Sequence, residues 1–177
     1  MSSEMMSPMG FRLMSLMFWI RDSVAKPWKK LDHFGIRKGN VVVDYGAGTG
    51  AYLPHASELV GQQGKVYAVD INPTAVKACR KVAKKKGLAN VRVFRAKGYK
   101  CDINTGVADV VYALDMFHAV EKPTRFLKEL RRICKRKGHL ILETGHQSME
   151  DARNKVEDSF YWKIKRTGKG WFRCEPV

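Results

Sequence analysis

The sequence has few cysteines and lacks any closely spaced cysteine pair. Its 177 residues include four cysteines, Cys79, Cys101, Cys134 and Cys174, and no CxxC motif. This wide spacing argues against a zinc site and against a disulfide framework. We therefore expect reduced thiols and no bound metal.

An apolar run long enough to cross a membrane is also missing. The longest run near the N-terminus, MSLMFWI at 14–20, is stopped by Arg21 and Asp22, whereas a spanning helix needs roughly 20 apolar residues. The same segment lacks the basic start and small-residue cleavage site of a signal peptide. The expected location is the cytoplasm.

Acidic residues are scarce relative to basic ones. There are 17 Asp plus Glu against 33 Lys plus Arg, a net charge of +16. Such an excess can mark a nucleic-acid or anionic-membrane partner. Much of it lies in two stretches with helical apolar spacing, CRKVAKKKG (79–87) and KELRRICKRKG (128–138). A merely solvated basic surface and attraction to an anionic partner both remain open.

What the sequence does contain is a regular alternation of strand and helix patterns. Helices are predicted over 51–59, 72–86 and 123–137, with Gly138 closing the last one. Alternation of this kind predicts an α/β fold, a doubly wound and mostly parallel sheet with helices on both faces. The predicted strands are VVVDY (41–45), KVYAVD (65–70), VRVFR (91–95), ADVVYALD (108–115) and HLILET (139–144).

The two ends of the chain depart from this alternation. Residues 160–177 carry two aromatic-rich alternating runs around a ThrGlyLysGly turn, which predicts an antiparallel hairpin. Residues 1–10 have the composition of a loose tail, and residues 11–26 have helical apolar spacing. We expect 1–35 to form a tail and an amphipathic lid helix beside one domain over 36–177. Peripheral membrane contact through residues 11–26 is the alternative role of that helix.

The first predicted strand runs directly into a glycine-rich turn. Gly46, Gly48 and Gly50 alternate, and with the alanine that follows they satisfy the loose dinucleotide-binding fingerprint. Asp44 precedes them, and its carboxylate would repel a pyrophosphate but suits a ligand that carries positive charge. Asp70 ends the second strand, where a carboxylate accepts the hydroxyls of a ribose. These residues indicate a nucleoside ligand, and an NAD(P)-dependent reductase remains the rival interpretation.

Together, VVVDYGAGTG, VYAVDINP, ADVVYALDMFHAV and GHLILETG closely resemble class I S-adenosylmethionine-dependent methyltransferases. The nearest group is the small-molecule methyltransferases of ubiquinone and menaquinone biosynthesis. The resemblance covers roughly residues 36–146, and the terminal hairpin matches the reversed last strand of that family. It implies an enzyme with a Rossmann-like, seven-stranded sheet and S-adenosylmethionine as its cofactor.

The resemblance also implies roles for single residues. The backbone of the glycine turn would contact the methionine part of the cofactor, with support from Asp44 and with Leu114 alongside. Asp70 would bind the ribose hydroxyls, and Ile71 would lie against the adenine. Lys97 and Gly98 stand where the family has a short motif with an acid for the adenine amino group.

A lysine cannot accept a hydrogen bond from that amino group. Either Lys97 points to solvent and another acceptor, such as Asp102 or a backbone carbonyl, takes the place, or adenine binding is altered. A non-catalytic adenosyl-binding module therefore stays open as a further alternative.

Candidates for a catalytic base follow the predicted strands. His118 is the first choice, because a histidine can act as a base near neutral pH, although it could instead shape the pocket or cap a helix. The expected acceptor is an amphipathic or anionic small molecule. Nucleic acid is less favoured as acceptor, since the fourth strand ends LeuAspMetPhe and not in an Asn/Asp-Pro-Pro-Tyr type signature. The other base candidates are Tyr45, Tyr99, Glu143 and His146.

Overall fold

The structure is a computed structural model that describes Gly10 and residues 27–177. The predicted tail and the predicted lid helix over 11–26 lie outside the described residues. The lid and its membrane contact therefore stay predictions. In the part of the chain that is described, no helix is both long and apolar enough to cross a bilayer.

Seven strands form one sheet, and their order in space shows that the chain is doubly wound. They are β1 (Val41–Tyr45), β2 (Lys65–Asp70), β3 (Val91–Arg95), β4 (Ala108–Ala113), β5 (Cys134–Glu143), β6 (Trp162–Gly168) and β7 (Trp171–Pro176). The order is β3-β2-β1-β4-β5-β7-β6. Strands β1 to β5 are parallel, and β7 runs antiparallel to both β5 and β6. The predicted mostly parallel sheet with a terminal hairpin is confirmed.

Within residues 27–177, four α-helices cover the sheet, and local capping explains where two of them begin. They are α1 (Leu53–Val60), α2 (Pro73–Lys85), α3 (Pro123–Ile133) and α4 (Met149–Glu157), with 3-10 turns at Pro27–His33 and Phe117–Ala119. At α2 the Asn72 side chain accepts a hydrogen bond from Thr74 N at 2.8 Å. At α4 the Ser148 hydroxyl accepts one from Asp151 N at 2.9 Å. Both are standard N-cap contacts, although the sequence analysis did not predict α4.

The end of α3 differs from the prediction. The helical spacing of apolar residues among the basic ones predicted a helix to residue 137, closed by Gly138. In the structure, α3 ends at Ile133 and β5 begins at Cys134. Cys134 pairs with Ala108 of β4, and the register then shifts before His139 pairs with Val110. Strand pairing thus overrides the helical propensity of residues 134–137, and Gly138 lies inside a strand.

Side chains that alternate along the strands fill two hydrophobic cores, one on each face of the sheet. Val43 and Tyr45 belong to the core beneath α3 and α4. Val42 belongs to the other core, beneath α1 and α2, which also contains Leu31 and Phe34. Leu31 and Phe34, which precede position 36, therefore pack on the same sheet as the rest of the chain.

Candidate active site

A cavity of about 390 Å³ opens where β1, β2 and β4 end. The chain turns in opposite directions from β1, to β2 on one side and β4 on the other. Such a switch in strand order is where doubly wound folds bind ligands. Predicted site residues that line the cavity are Tyr45, Gly46, Gly48, Asp70, Ile71, Gly98, Tyr99, Leu114, His118 and His146.

The glycine turn between β1 and α1 is held by the backbone of β2. Gly46 N and Ala47 N both donate to Val69 O, at 2.8 and 3.0 Å. Gly46, Gly48 and Gly50 all have left-handed φ angles, of 89°, 53° and 78°, which side chains with a Cβ rarely adopt. Two of these glycines face the cavity, and the structure places Gly50 behind them. A Cβ on Gly50 would lie 3.2 Å from Cys79 Cα, so this glycine lets the turn pack on α2.

Asp70 is fixed at the cavity wall by backbone donors. Its Oδ2 accepts a hydrogen bond from Gly48 N at 2.9 Å, and its Oδ1 accepts one from Asn72 N at 2.8 Å. Burial raises the pKa of Asp70, while these backbone donors oppose that rise. A carboxylate has about four lone-pair sites, so Asp70 can still accept a hydrogen bond from a ligand hydroxyl.

Asp44 is buried beneath the turn and is not among the residues that line the cavity. Its Oδ2 has no hydrogen-bond partner among the described residues, and neither does the Tyr112 hydroxyl. Burial raises the pKa of Asp44 to about 8; the nearby Tyr112 hydroxyl lowers it and the Asp70 charge raises it further. A ligand that brings positive charge would favour the ionised form of this buried carboxyl group, one oxygen of which has no partner within hydrogen-bond distance in the described part of the chain.

The Lys97 side chain is not part of the cavity wall formed by the residues that follow β3. Lys97 is exposed and absent from the cavity lining, and its backbone N donates to Lys100 O at 2.8 Å. Gly98, with a φ of 60°, forms the wall together with Ala96 and Tyr99. Asp102 is also exposed and does not line the cavity. The Lys97 side chain is thus in solvent, while the group that would accept from the adenine amino group stays a prediction.

Two histidines meet at the far side of the cavity. The rings of His118 and His146 are 4.8 Å apart between centroids and nearly perpendicular, at 76°. His118 Nδ1 is buried without a partner among the described residues. His146 Nε2 lies 3.8 Å from Asp115 Oδ1, and Asp115 has a left-handed φ of 51°. Any Cβ on Gly145 would clash with the His118 ring, so glycine at that position allows the two rings to meet.

The other predicted base candidates have internal partners. The Tyr45 hydroxyl donates to the Tyr99 carbonyl, and burial raises the pKa of Tyr45. The Tyr99 hydroxyl accepts a hydrogen bond from Lys122 N at 3.1 Å. Glu143 forms an ion pair with Lys30 at 2.7 Å and does not line the cavity.

Sequence reasoning missed four residues that line the cavity between β4 and α3, namely Asp115, Met116, Ala119 and Val120. Asp115 and Met116 follow Leu114 directly. A Cβ on Gly46 would lie 3.0 Å from Met116 Cγ, so this side chain packs against the glycine turn. The signal was their position after a strand end, where pocket residues of doubly wound folds gather.

Sequence comparisons place this geometry in a family. The profile of a methyltransferase domain matches residues 36–172. The chain is similar to the ubiquinone/menaquinone biosynthesis C-methyltransferase UbiE of Azotobacter vinelandii, 29% identical over 136 residues that cover 75% of this chain and 54% of that protein. The UbiE of Idiomarina loihiensis is 26% identical over 140 residues, 77% of this chain and 56% of that protein. The chain thus spans about half the length of these relatives.

Comparison with solved structures identifies the same fold. A SAM-dependent methyltransferase from Aquifex aeolicus superimposes with a TM-score of 0.79 at 28% identity, covering 89% of this chain and 93% of that one. A putative S-adenosyl-L-methionine-dependent methyltransferase from Methanococcus maripaludis has a TM-score of 0.72 at 14% identity, covering 94% and 91%; at this identity it supports the fold alone. The resemblance to class I methyltransferases is confirmed, and the chain belongs to the methyltransferase domain family.

Proposed function

We propose that the protein transfers the methyl group of S-adenosylmethionine to a small-molecule acceptor bound in the cavity. The observation that carries this proposal is the pair of carboxyl groups at the glycine turn. Asp70 is fixed at the cavity wall, and Asp44 lies beneath the turn with an unpartnered oxygen. The Aquifex aeolicus structure, named as a SAM-dependent methyltransferase, supports the same cofactor.

The residues present fit this cofactor. Asp70 would accept the ribose hydroxyls, and Ile71 and Gly98 would lie on the adenine side. Gly46, Gly48 and Leu114 would border the methionine part. Asp44, which holds a proton in the ligand-free protein, would release it and present a negative charge to the positively charged portion of the ligand. In this proposal the Lys97 side chain has no contact with the cofactor.

S-adenosylmethionine brings a methyl group on a sulfonium, a leaving group that is already activated. The protein's own contribution is to position the acceptor and to exclude water. A base is required only if the acceptor must lose a proton. His118 would take that proton, because its ring lines the cavity next to His146.

The acceptor is proposed to be an amphipathic, quinone-related small molecule. Two relatives carry names of C-methyltransferases in ubiquinone and menaquinone biosynthesis. The rest of the cavity has apolar side chains that suit such a molecule, namely Met116, Val120 and Phe126. Cytoplasmic location remains part of this proposal.

Thermal unfolding with ligands tests the cofactor assignment without an acceptor. S-adenosylhomocysteine at about 100 times its dissociation constant should stabilise the protein by about 2.7 kcal/mol, or roughly 5–10 °C in Tm. Asp70→Ala should abolish most of this shift. Asp102→Ala is the matched control, since that carboxylate is exposed and outside the cavity; its shift should equal that of the wild type. A shift with NADPH alone, or equal losses in both variants, would contradict the proposal.

A further inference from the structure

Much of the positive charge lies at the edge of the sheet opposite the cavity. Parallel pairing aligns the starts of the strands there, as in the pairs Val41–Lys65 and Ala108–Cys134. The helices that cross back between parallel strands end at this edge, so their last turns add cations to it. Residues 84–86 at the end of α2 and residues 136–137 of β5 are exposed Lys or Arg.

A groove at this edge concentrates part of that charge. It has a volume of about 430 Å³ and lies between the end of α3, the start of β5 and Tyr161. Arg132 pairs with Glu129, and Lys135 pairs with Asp109, both at 2.6 Å. The cations that line the groove are Lys128, Arg131, Arg132, Lys135 and Arg136.

The groove keeps a positive excess after these pairs are counted. Lys128 and Arg136 are exposed and form no ion pair with another described residue. Arg131 donates from Nε and Nη2 to the main-chain O of Val177, both at 3.3 Å, so the excess rests on Lys128 and Arg136. Unpaired guanidinium and ammonium groups along one concave surface are suited to a row of phosphates.

The residue that precedes the groove residue Tyr161 is an exposed aromatic in an unusual backbone conformation. Phe160 is 82% exposed and has a left-handed φ of 59°. This backbone conformation is sterically unfavourable for a residue with a Cβ, and such strain clusters at functional sites. Phe160 directly precedes Tyr161, which lines the groove. Two exposed acidic residues, Glu157 and Asp158, precede Phe160 in the chain, and Glu157 pairs with Arg153.

We propose that this groove binds single-stranded nucleic acid, with phosphates on Lys128, Arg131 and Arg136 and a base stacked on Phe160. A charged groove that tracks the backbone, next to an aromatic platform, is the usual arrangement for such binding. The concave shape favours a strand over a flat bilayer. Since the groove lies at the opposite edge from the cavity, the nucleic acid is a docking partner and not the methyl acceptor.

Fluorescence anisotropy with a labelled oligouridylate of about 12 nucleotides tests the groove directly. The double variant Lys128→Glu/Arg136→Glu should weaken binding at least tenfold and lower the salt slope by about 1.4, or about 0.7 for each lost phosphate contact. Lys122→Glu/Arg125→Glu is the matched control. It changes the net charge equally at two exposed positions at the other end of α3, and it should bind like the wild type.

A second variant separates the aromatic contact from the charge. Phe160→Gly removes the ring and relieves the backbone conformation, so binding should fall at least about fivefold while thermal stability does not decrease. The proposal is overturned if both charge variants lose affinity equally, or if Phe160→Gly binds like the wild type. It is also overturned if the oligonucleotide fails to bind while vesicles containing phosphatidylserine bind through the same groove cations. None of these readouts depends on the cofactor or on a methyl acceptor, so they stand apart from the proposed function.

Discussion

Asp44 shows how a single residue can combine a cost in stability with a role in binding. Its carboxyl group is 2% exposed and keeps one oxygen without a partner among the described residues. Leaving a polar group in this state costs about 1–3 kcal/mol, and the group keeps its proton more readily because burial disfavours the charged form. A cationic ligand would offset this cost on binding.

The raised pKa of Asp44 predicts a pH dependence of stability. With a folded pKa of about 8 against a usual 3.8, the folded protein holds a proton between these values that the unfolded chain has lost. Stability should therefore fall as the pH rises through this window, by at most about 1.4 kcal/mol per pH unit. Asp44→Asn cannot titrate, so we expect a smaller loss between about pH 5 and pH 8, measured by urea unfolding without ligand.

Asp102→Asn provides the comparison for this experiment, because Asp102 is exposed. Its stability should follow the wild-type pH profile. Parallel profiles for the wild type and Asp44→Asn would show that Asp44 is ionised in the folded protein, contrary to its burial.

At the scale of elements, the junction of α3 and β5 depends on the packing of one glycine. Gly138 lies where the register between β4 and β5 shifts. A Cβ there would be 2.8 Å from Ala108 O and 2.9 Å from Asp109 O. Both are backbone atoms of β4 that cannot move without disturbing the strand, so glycine is needed for close approach and not for a helix end.

Gly138→Ala should destabilise the protein, because the added methyl group must push β4 and β5 apart. We expect a loss of about 1–3 kcal/mol in the free energy of unfolding, measured by urea denaturation. Lys137→Ala, an exposed neighbour in the same strand, should change the stability by less than about 0.5 kcal/mol. Equal effects in the two variants would contradict the packing argument.

At the scale of the whole molecule, the burial of the four cysteine thiols shows that both hydrophobic cores exclude solvent. Cys79, Cys101, Cys134 and Cys174 are free and at most 5% exposed. Burial raises the pKa of Cys101, Cys134 and Cys174 to about 12 and that of Cys79 further. The thiolate is the reactive form, so the folded protein protects its thiols by both access and ionisation.

We therefore predict that the four thiols react with a chromogenic disulfide reagent only when the molecule opens. In native buffer at neutral pH the reaction should be slow and should be set by unfolding. In denaturant all four thiols should react at once, which provides the internal control. Rapid reaction of one thiol in native buffer would place that cysteine in a locally open region.

The sequence by itself determined the architecture and the general position of the site. Strands 41–45, 65–70 and 91–95 were predicted with the bounds that the structure has, because short apolar runs between turn residues favour strands locally. The glycine turn and Asp70 were also identified from local signals, namely alternating glycines and an acid at the end of a strand.

Only the tertiary structure decided the features that depend on partners distant in sequence. Pairing with β4 ended α3 at Ile133, and packing on Cys79 turned Gly50 away from the cavity. The burial of Asp44 and the meeting of His118 with His146 likewise join separate segments of the chain. Local propensity carries no information about such contacts, because their energy comes from burial and pairing that exist only once the sheet is assembled.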